Sequence, residues 1–498
     1  MLTEKKKIIY NKIISGDPIN LSFKFISADV LMLIKGVVTK ELEKHDLHFI
    51  SNTIIAILRE LLVNSLKANA KRIFFQKNNF NIDNPQEYNT GIKKFKKDAI
   101  GDLESLKDDI FKSNLTINFN ITERGDSVIF SIQNNVAIIP EEMKRINDRI
   151  SIVSQQSDFI DIYENVGDDT EGAGLGLTLV IMFIKSIGCD PSAFKIRSEN
   201  GVTVTSIQVP YRLKPVEVIT TIKEQILNEI TGIPTFPENI TTLMKMCSDS
   251  NTNIDKIVNI IKQDMSITSD VIKLSNSAGF VSNKRINDIK EAIIKIGLNN
   301  LKLILIAGNA RKIIKSRYKK FEEVWDHCSK VAFYSRDLAL RFKFQSDEVE
   351  GAYTAGLLHD IGKVILLAVD NEGMKKIADL VQNRELITAT VLEEMSIGIS
   401  HAEIGYLVSE KWNFPDFITD IAKYHHAPLN MSDEFKNVGF CVYLANMIVG
   451  IESKKYSFYY MEDSVLDKFN IKDESELMRI SESLKKNYEL FQNNQSNP

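Results

Sequence analysis

The chain is poor in the features that mark secreted, disulfide-held or membrane-spanning proteins. Its four cysteines, Cys189, Cys247, Cys328 and Cys441, are far apart and form no Cys-x-x-Cys pair. No disulfide framework is expected, and a reducing cytoplasm is the natural compartment. No apolar run reaches the ~18–20 residues needed to cross a bilayer. The start, MLTEKKKIIYNK, has lysines but neither an apolar core nor a small-residue cleavage site, so no signal peptide is expected. The net charge of −4 is small and of mixed origin, which argues against a dedicated nucleic-acid binder. Histidine is also scarce. Of only seven, five lie in the C-terminal half: His327, His359, His401, His425 and His426.

What is present is ordinary for a globular protein, with 44% hydrophobic and 26% charged residues. A chain of 498 residues is too long for one core, so two to four domains are expected. Up to about residue 213, helix and strand patterns mix. Ile54, Ile57, Leu58 and Leu61 fall at helical spacing, whereas Leu115 to Ile121 and Ser127 to Gln133 alternate as strands around an ERGD turn. A second hairpin, Phe194 to Pro210, turns at Glu199-Asn200-Gly201. After YRLKPVEV the strands stop and amphipathic helices follow one another. One of them opens on a capping box, Asp288 and Glu291, and stops at Gly297. The expected fold is two-domain, α/β (α+β) with a mixed sheet over 1–213 and all-α over 218–455. A helical extension with a frayed tail over 456–498 completes it.

The densest chemistry lies in GLLHDIGKVILL, Gly356 to Leu367, where His359 and Asp360 are adjacent and Lys363 follows one turn on. Neutral imidazole and carboxylate are the common ligands of transition metals. Five histidines this concentrated suggest a buried cluster with Asp360, set against the plainer reading of satisfied core histidines. The surrounding segments, from IPTFPENITTLMKMCSD through INDIKEAIIKIGLNNLKLILIA to HAEIGYLVSEKWNFPDFITDIAKYHHAP, resemble in order the HDOD domain. This is a helical signalling-output module related to the HD metal-dependent phosphohydrolases, and the resemblance spans about 230–450. It implies His327, His359 and Asp360 as ligands of a first divalent metal (Mn, Mg, Fe or Zn). It implies His401, His425 and His426 as ligands of a second, with Lys363 on a phosphate or on Asp360. The family's late aspartate ligand falls at Asn446, an amide without charge. The Gly-Tyr-Pro segment of the cyclic-dinucleotide branch is replaced by Ala427-Pro428-Leu429-Asn430.

In the N-terminal half, Glu60, Asn64 and Lys67 make a polar stripe on an apolar helix, which by itself is a solvated face. GAGLGL, Gly172 to Leu177, opens a later helix, where glycines let backbone N–H groups approach phosphate. In this order the two features resemble the GHKL ATPases over about 20–212. The resemblance implies Asn64 on Mg²⁺, Glu60 as water-activating base and Gly172, Gly174 and Gly176 at the phosphates, with Lys67 on the same stripe. It places Asn134 where an aspartate reads adenine, and Val136 and Ile138 where the family has glycines. That degraded box weighs against firm ATP–Mg²⁺ binding.

The combined reading is a cytoplasmic, bacterial-type signalling protein with signalling-protein partners, little or no catalysis, and a homodimer left open. The alternative is an HD-type phosphohydrolase controlled by nucleotide at the first domain.

Overall fold

A computed structural model describes residues 2–98, 103–155, 173–213, 220–249, 251–275, 286–384 and 389–496. The chain divides into two compact units, 1–218 with 386–398, and 219–385 with 399–498. The 386–398 stretch lies inside the second domain drawn from sequence, yet it groups with the first unit.

The first unit is built on a five-stranded sheet: β1 (Ile19–Phe23), β2 (Ile117–Arg124), β3 (Ser127–Asn134), β4 (Phe194–Glu199) and β5 (Val202–Pro210), in the order β1-β2-β3-β5-β4. Every described strand pair is antiparallel, which corrects the mixed sheet expected from sequence. The reason is local. Two tight hairpins supply β2–β3 and β4–β5, and the second turns at Asn200 and Gly201, both at positive φ (51° and 78°). Asn-Gly accepts that conformation at little cost. Ile117, Phe119 and Ile121 of β2 and Val128, Phe130 and Ile132 of β3 alternate onto one buried face. The Ser51–Lys77 helix packs against β3, and the Ala173–Ser186 helix packs on Ser51–Lys77. Asn134 continues the apolar face of β3, and Thr203 and Thr205 of β5 lie opposite Asn134 and Ile132 on the same face.

The second unit is helical throughout its described residues. Its centre is the Phe321–Arg341 helix against Ser346–Leu358 and Lys436–Glu452, and the Ile361–Val369 helix against His401–Lys411. The helix over Ile289–Ile296 begins at Asp288, whose side chain accepts from the Glu291 N–H, and ends at Gly297 with φ 82°. Both ends fall where the sequence places them. The C-terminal Glu474–Ser496 helix is part of this unit. Its Tyr488 and Phe491 rings lie 5.3 and 5.0 Å from Phe333.

Two segments, His48–Lys77 and Ser346–Val369, do reach the length and mean hydropathy of a membrane span, contrary to the sequence reading. In each, 72% of the qualifying window is buried inside the protein, so they are core helices. All four cysteines are free and buried.

Two glycines set helix distances in the second unit. A Cβ on Gly356 would lie 2.8 Å from the Ala332 Cα. A Cβ on Gly362 would run into the His401 carbonyl oxygen and the Gly405 amide nitrogen. Both obstacles are backbone, which cannot rotate aside. Gly362→Ala should therefore push the Ile361–Val369 helix off His401–Lys411. We expect a loss of stability of roughly 1–3 kcal/mol, read from denaturant titration.

Candidate functional site

Six helices of the second unit bring their chemistry to one place. His327 lies on Phe321–Arg341 and Asn446 on Lys436–Glu452. His359 follows the last residue of Ser346–Leu358, and Asp360 is the N-cap of Ile361–Val369. His401 opens its helix after the cap Ser400, whose hydroxyl accepts from Glu403 N–H. His425 and His426 follow the end of Asp416–Tyr424. Helix ends turn sharply, so residues adjacent in sequence can point into one pocket.

Asp360 is the centre. Its Oδ1 lies 3.2 Å from His401 Nε2 and 3.4 Å from His425 Nε2. Its Oδ2 lies 3.8 Å from His327 Nε2, 3.9 Å from His359 Nε2 and 3.3 Å from Lys363 Nζ. His401 Nε2 also lies 3.0 Å from His426 Nε2. His359, Asp360, His401 and His425 are each at most 2% exposed. The sequence-predicted histidines and Asp360 thus converge. Asn446, expected as a metal ligand, is buried beside His327. Lys363 takes the second of its two expected roles, on the Asp360 carboxylate.

The protonation pattern suits a metal. His359 Nδ1 donates to the Gly356 carbonyl at 2.7 Å, and His425 Nδ1 to the Ala422 carbonyl at 2.8 Å. His359, kept neutral by its burial, then carries its proton on Nδ1 and turns a bare Nε2 lone pair toward the Asp360 carboxylate, whereas His425 Nε2 lies 3.3 Å from His401 Nε2. Lone pairs facing an anion repel unless a cation lies between them. Consistently, His359 Nε2 and Asp360 Oδ1 are buried with no hydrogen-bond partner. Burial holds the His359 and His426 imidazoles well below the usual histidine range and brings His327 to about 4, so these rings are neutral near pH 7. Burial alone would raise the Asp360 carboxyl, yet it is held well below the usual carboxylate range, with the Lys363 ammonium the largest opposing influence. An ionised carboxylate among neutral imidazoles fits a divalent cation of the Mn, Fe or Zn kind.

The first unit holds a second candidate site, a cavity of about 610 Å³ between the Ser51–Lys77 helix and the sheet. Asn64, Lys67, Asn134 and Thr203 line it, together with Val136 and Ile138. Glu60 is buried behind it and does not line it. A Cβ on Gly176 would collide with Glu60 and come within 3.8 Å of Asn64 Nδ2, so those three residues do meet. Gly174 lies in the first turn of the Ala173–Ser186 helix, and Gly172 lies outside the described residues. Asn134 Nδ2 approaches Asn69 Oδ1 at 3.4 Å, while the Thr203 hydroxyl donates to the Val136 carbonyl at 2.6 Å.

The sequence reading missed a charged group in this cavity. Glu142 pairs with Lys71 and Arg72, and Arg145 donates to Tyr88 Oη at 2.9 Å. Lys71 extends the Glu60-Asn64-Lys67 stripe by one more helical turn, so that much was legible. Burial raises the Glu142 carboxyl, but the Lys71 and Arg72 charges outweigh it and hold it down at about 2. A carboxyl held there instead of at 4.5 contributes up to about 3 kcal/mol. That contribution is complete above pH 4.5 and is lost as pH falls toward 2. Glu142→Gln should therefore melt well below the parent at neutral pH, and the two melting temperatures should converge on acidification. A gap that stays constant with pH would contradict this assignment.

The family model "HDOD domain" matches residues 233–428. An uncharacterised protein of Treponema pallidum (strain Nichols) is 26% identical over 437 residues, covering 87% of this chain and 84% of that protein. The crystal structure of an HDOD domain protein of unknown function from Geobacter sulfurreducens shares 24% identity. It covers 52% of this chain and 87% of its own, with a TM-score of 0.40. A protein of Shewanella amazonensis SB2B, provisionally named a phosphohydrolase, shares 20% identity over 52% of this chain and 93% of its own, at a TM-score of 0.40. Residues 233–428, which carry His327, His359, Asp360, His401, His425 and His426, form an HDOD domain.

Proposed function

We propose that this chain is a cytoplasmic signalling protein whose HDOD domain is a regulatory output module with a single metal centre, and whose first unit is its sensor. The reading rests on the charge of the helical site. Asp360 is its one carboxylate among the described residues, and Asn446 sits beside His327 as a neutral amide. Two adjacent dications against one carboxylate would repel each other with little compensation. One is balanced.

His327, His359 and Asp360, whose ligand atoms lie within 4.8 Å of one another, are the residues that would hold the metal, and His401, His425 and His426 flank them on the other Asp360 oxygen. When bound, a divalent ion supplies Lewis acidity and lowers the pKa of water. The Gly356 and Ala422 carbonyls fix the tautomer and orientation of His359 and His425. Lys363 offsets the Asp360 charge from the solvent side. A second reading, a metal-dependent phosphohydrolase, is favoured by those two fixed tautomers, which are the mark of ligating imidazoles.

The cavity of the first unit supports a sensor role for small ligands. Its GHKL-like features are Asn64 on the cavity wall and the Glu60–Asn64–Gly176 meeting. Against strong ATP binding stand Val136 and Ile138 on the wall and Asn134 turned to Asn69. Loss of one good hydrogen bond to the base costs roughly 1–3 kcal/mol, or about 5- to 150-fold in affinity. Titration calorimetry with ATP and Mg²⁺ should show binding weaker than micromolar.

The deciding experiment compares the parent with His359→Ala. Bound metal should fall by about one equivalent in the variant. Neither protein should turn over phosphodiester substrates with Mn²⁺, Mg²⁺ or Fe²⁺. Turnover in the parent that vanishes in His359→Ala would establish the phosphohydrolase instead. Asn446→Asp should raise metal affinity at this site by adding a carboxylate.

A further inference from the structure

A different group of residues in the first unit carries a site of its own. Glu41 and His45 lie one turn apart at the end of the Ala28–Lys44 helix. Glu123 comes from the end of β2, and Tyr211 directly follows β5, held by its N–H to the Asp126 carbonyl at 2.8 Å. His45 Nε2 lies 3.4 Å from Glu41 Oε1 and 3.4 Å from Glu123 Oε1. All three ligand atoms fall within 4.8 Å of one another. The His45 ring stacks on Tyr211 at 4.0 Å and 14°, which fixes its plane.

We propose that Glu41, His45 and Glu123, with the Tyr211 hydroxyl beside them, bind one divalent transition-metal ion independently of the histidine cluster of the second unit. The plainer alternative is an ion-pair cluster with a protonated His45. Three orphaned atoms argue against it. Glu41 Oε1, His45 Nε2 and Tyr211 Oη are all buried with no hydrogen-bond partner, and Glu41 is 4% exposed. A single ring N–H satisfies at most one carboxylate and leaves the phenol unserved. One cation satisfies several converging lone pairs together.

Charge points the same way. Lys44 Nζ sits on Glu123 at 2.5 Å, so two carboxylates face one ammonium. His45 and Tyr211 also line a surface depression of about 740 Å³, which gives an entry path. A set of one imidazole and two carboxylates without thiolate suits Zn²⁺ or Mn²⁺.

The test uses the full chain, stripped with chelator and dialysed against Zn²⁺, with bound metal counted by mass spectrometry. His359→Ala should retain about one equivalent, and His359→Ala/Glu41→Gln should lose it, with affinity down at least about tenfold. Co²⁺ loaded into His359→Ala should give visible d–d absorption that disappears in the double variant. Circular dichroism and melting establish that each protein is folded. Should Glu41→Gln fail to fold, Glu123→Gln at a 36% exposed position replaces it, with the same loss expected. Undiminished metal in a folded Glu41→Gln or Glu123→Gln variant overturns the proposal. So does an ion-pair cluster only, seen as no Zn²⁺ and no Co²⁺ absorption in His359→Ala.

Discussion

The Asp360 carboxylate is a full negative charge at 2% exposure, and the helical unit is arranged around it. Left alone in that setting, a carboxylate would take up a proton. Lys363, 3.3 Å from Oδ2, opposes this, and the carboxyl is held well below the usual carboxylate range. The same arrangement leaves the His359 Nε2 lone pair aimed at an anion, an incomplete balance that a cation completes. The site is thus electrostatically determined: neutral histidines, one anion and a place for positive charge between them.

Holding these groups within ligand distance requires close helix packing, and the glycines supply it. Gly362 lets the Ile361–Val369 helix, with Asp360 at its head, lie against the first turn of His401–Lys411. Gly356 lets the helix that ends before His359 press on Ala332, one turn beyond His327 and Cys328. Packing and chemistry are therefore coupled. A methyl group at either glycine moves a residue of the cluster as well as a helix.

The cavity of the first unit follows a different logic. Its floor is the polar end of an apolar sheet face, Asn134, Thr203 and Thr205 beyond Phe130 and Ile207. Its wall is the polar stripe of the Ser51–Lys77 helix, continued by Lys71. Here buried charge is paired within the protein, Glu142 with Lys71 and Arg72, whereas around Asp360 it is left partly unmatched.

Much of this was written in the chain itself. The period of the apolar residues separated an α/β half from an all-helical half, because helix and strand repeat differently. Asn200-Gly201 fixed a hairpin, and Asp288 with Gly297 fixed both ends of a helix, because capping and positive φ are local demands. Scarcity and clustering pointed to His327, His359, His401, His425 and His426. Strand direction was not legible, since neighbours in the sheet outside the two hairpins are chosen by packing across about 70 to 100 residues of chain. Nor was the pairing of Asn134 with Asn69, or of Glu142 with Lys71, each separated by at least 65 residues. Glu41, His45 and Glu123 form a group only because β2 lies beside the end of the Ala28–Lys44 helix, and no spacing in the sequence encodes that meeting. Local rules set the elements and pointed to the candidate residues; long-range packing alone decided which side chains share a site.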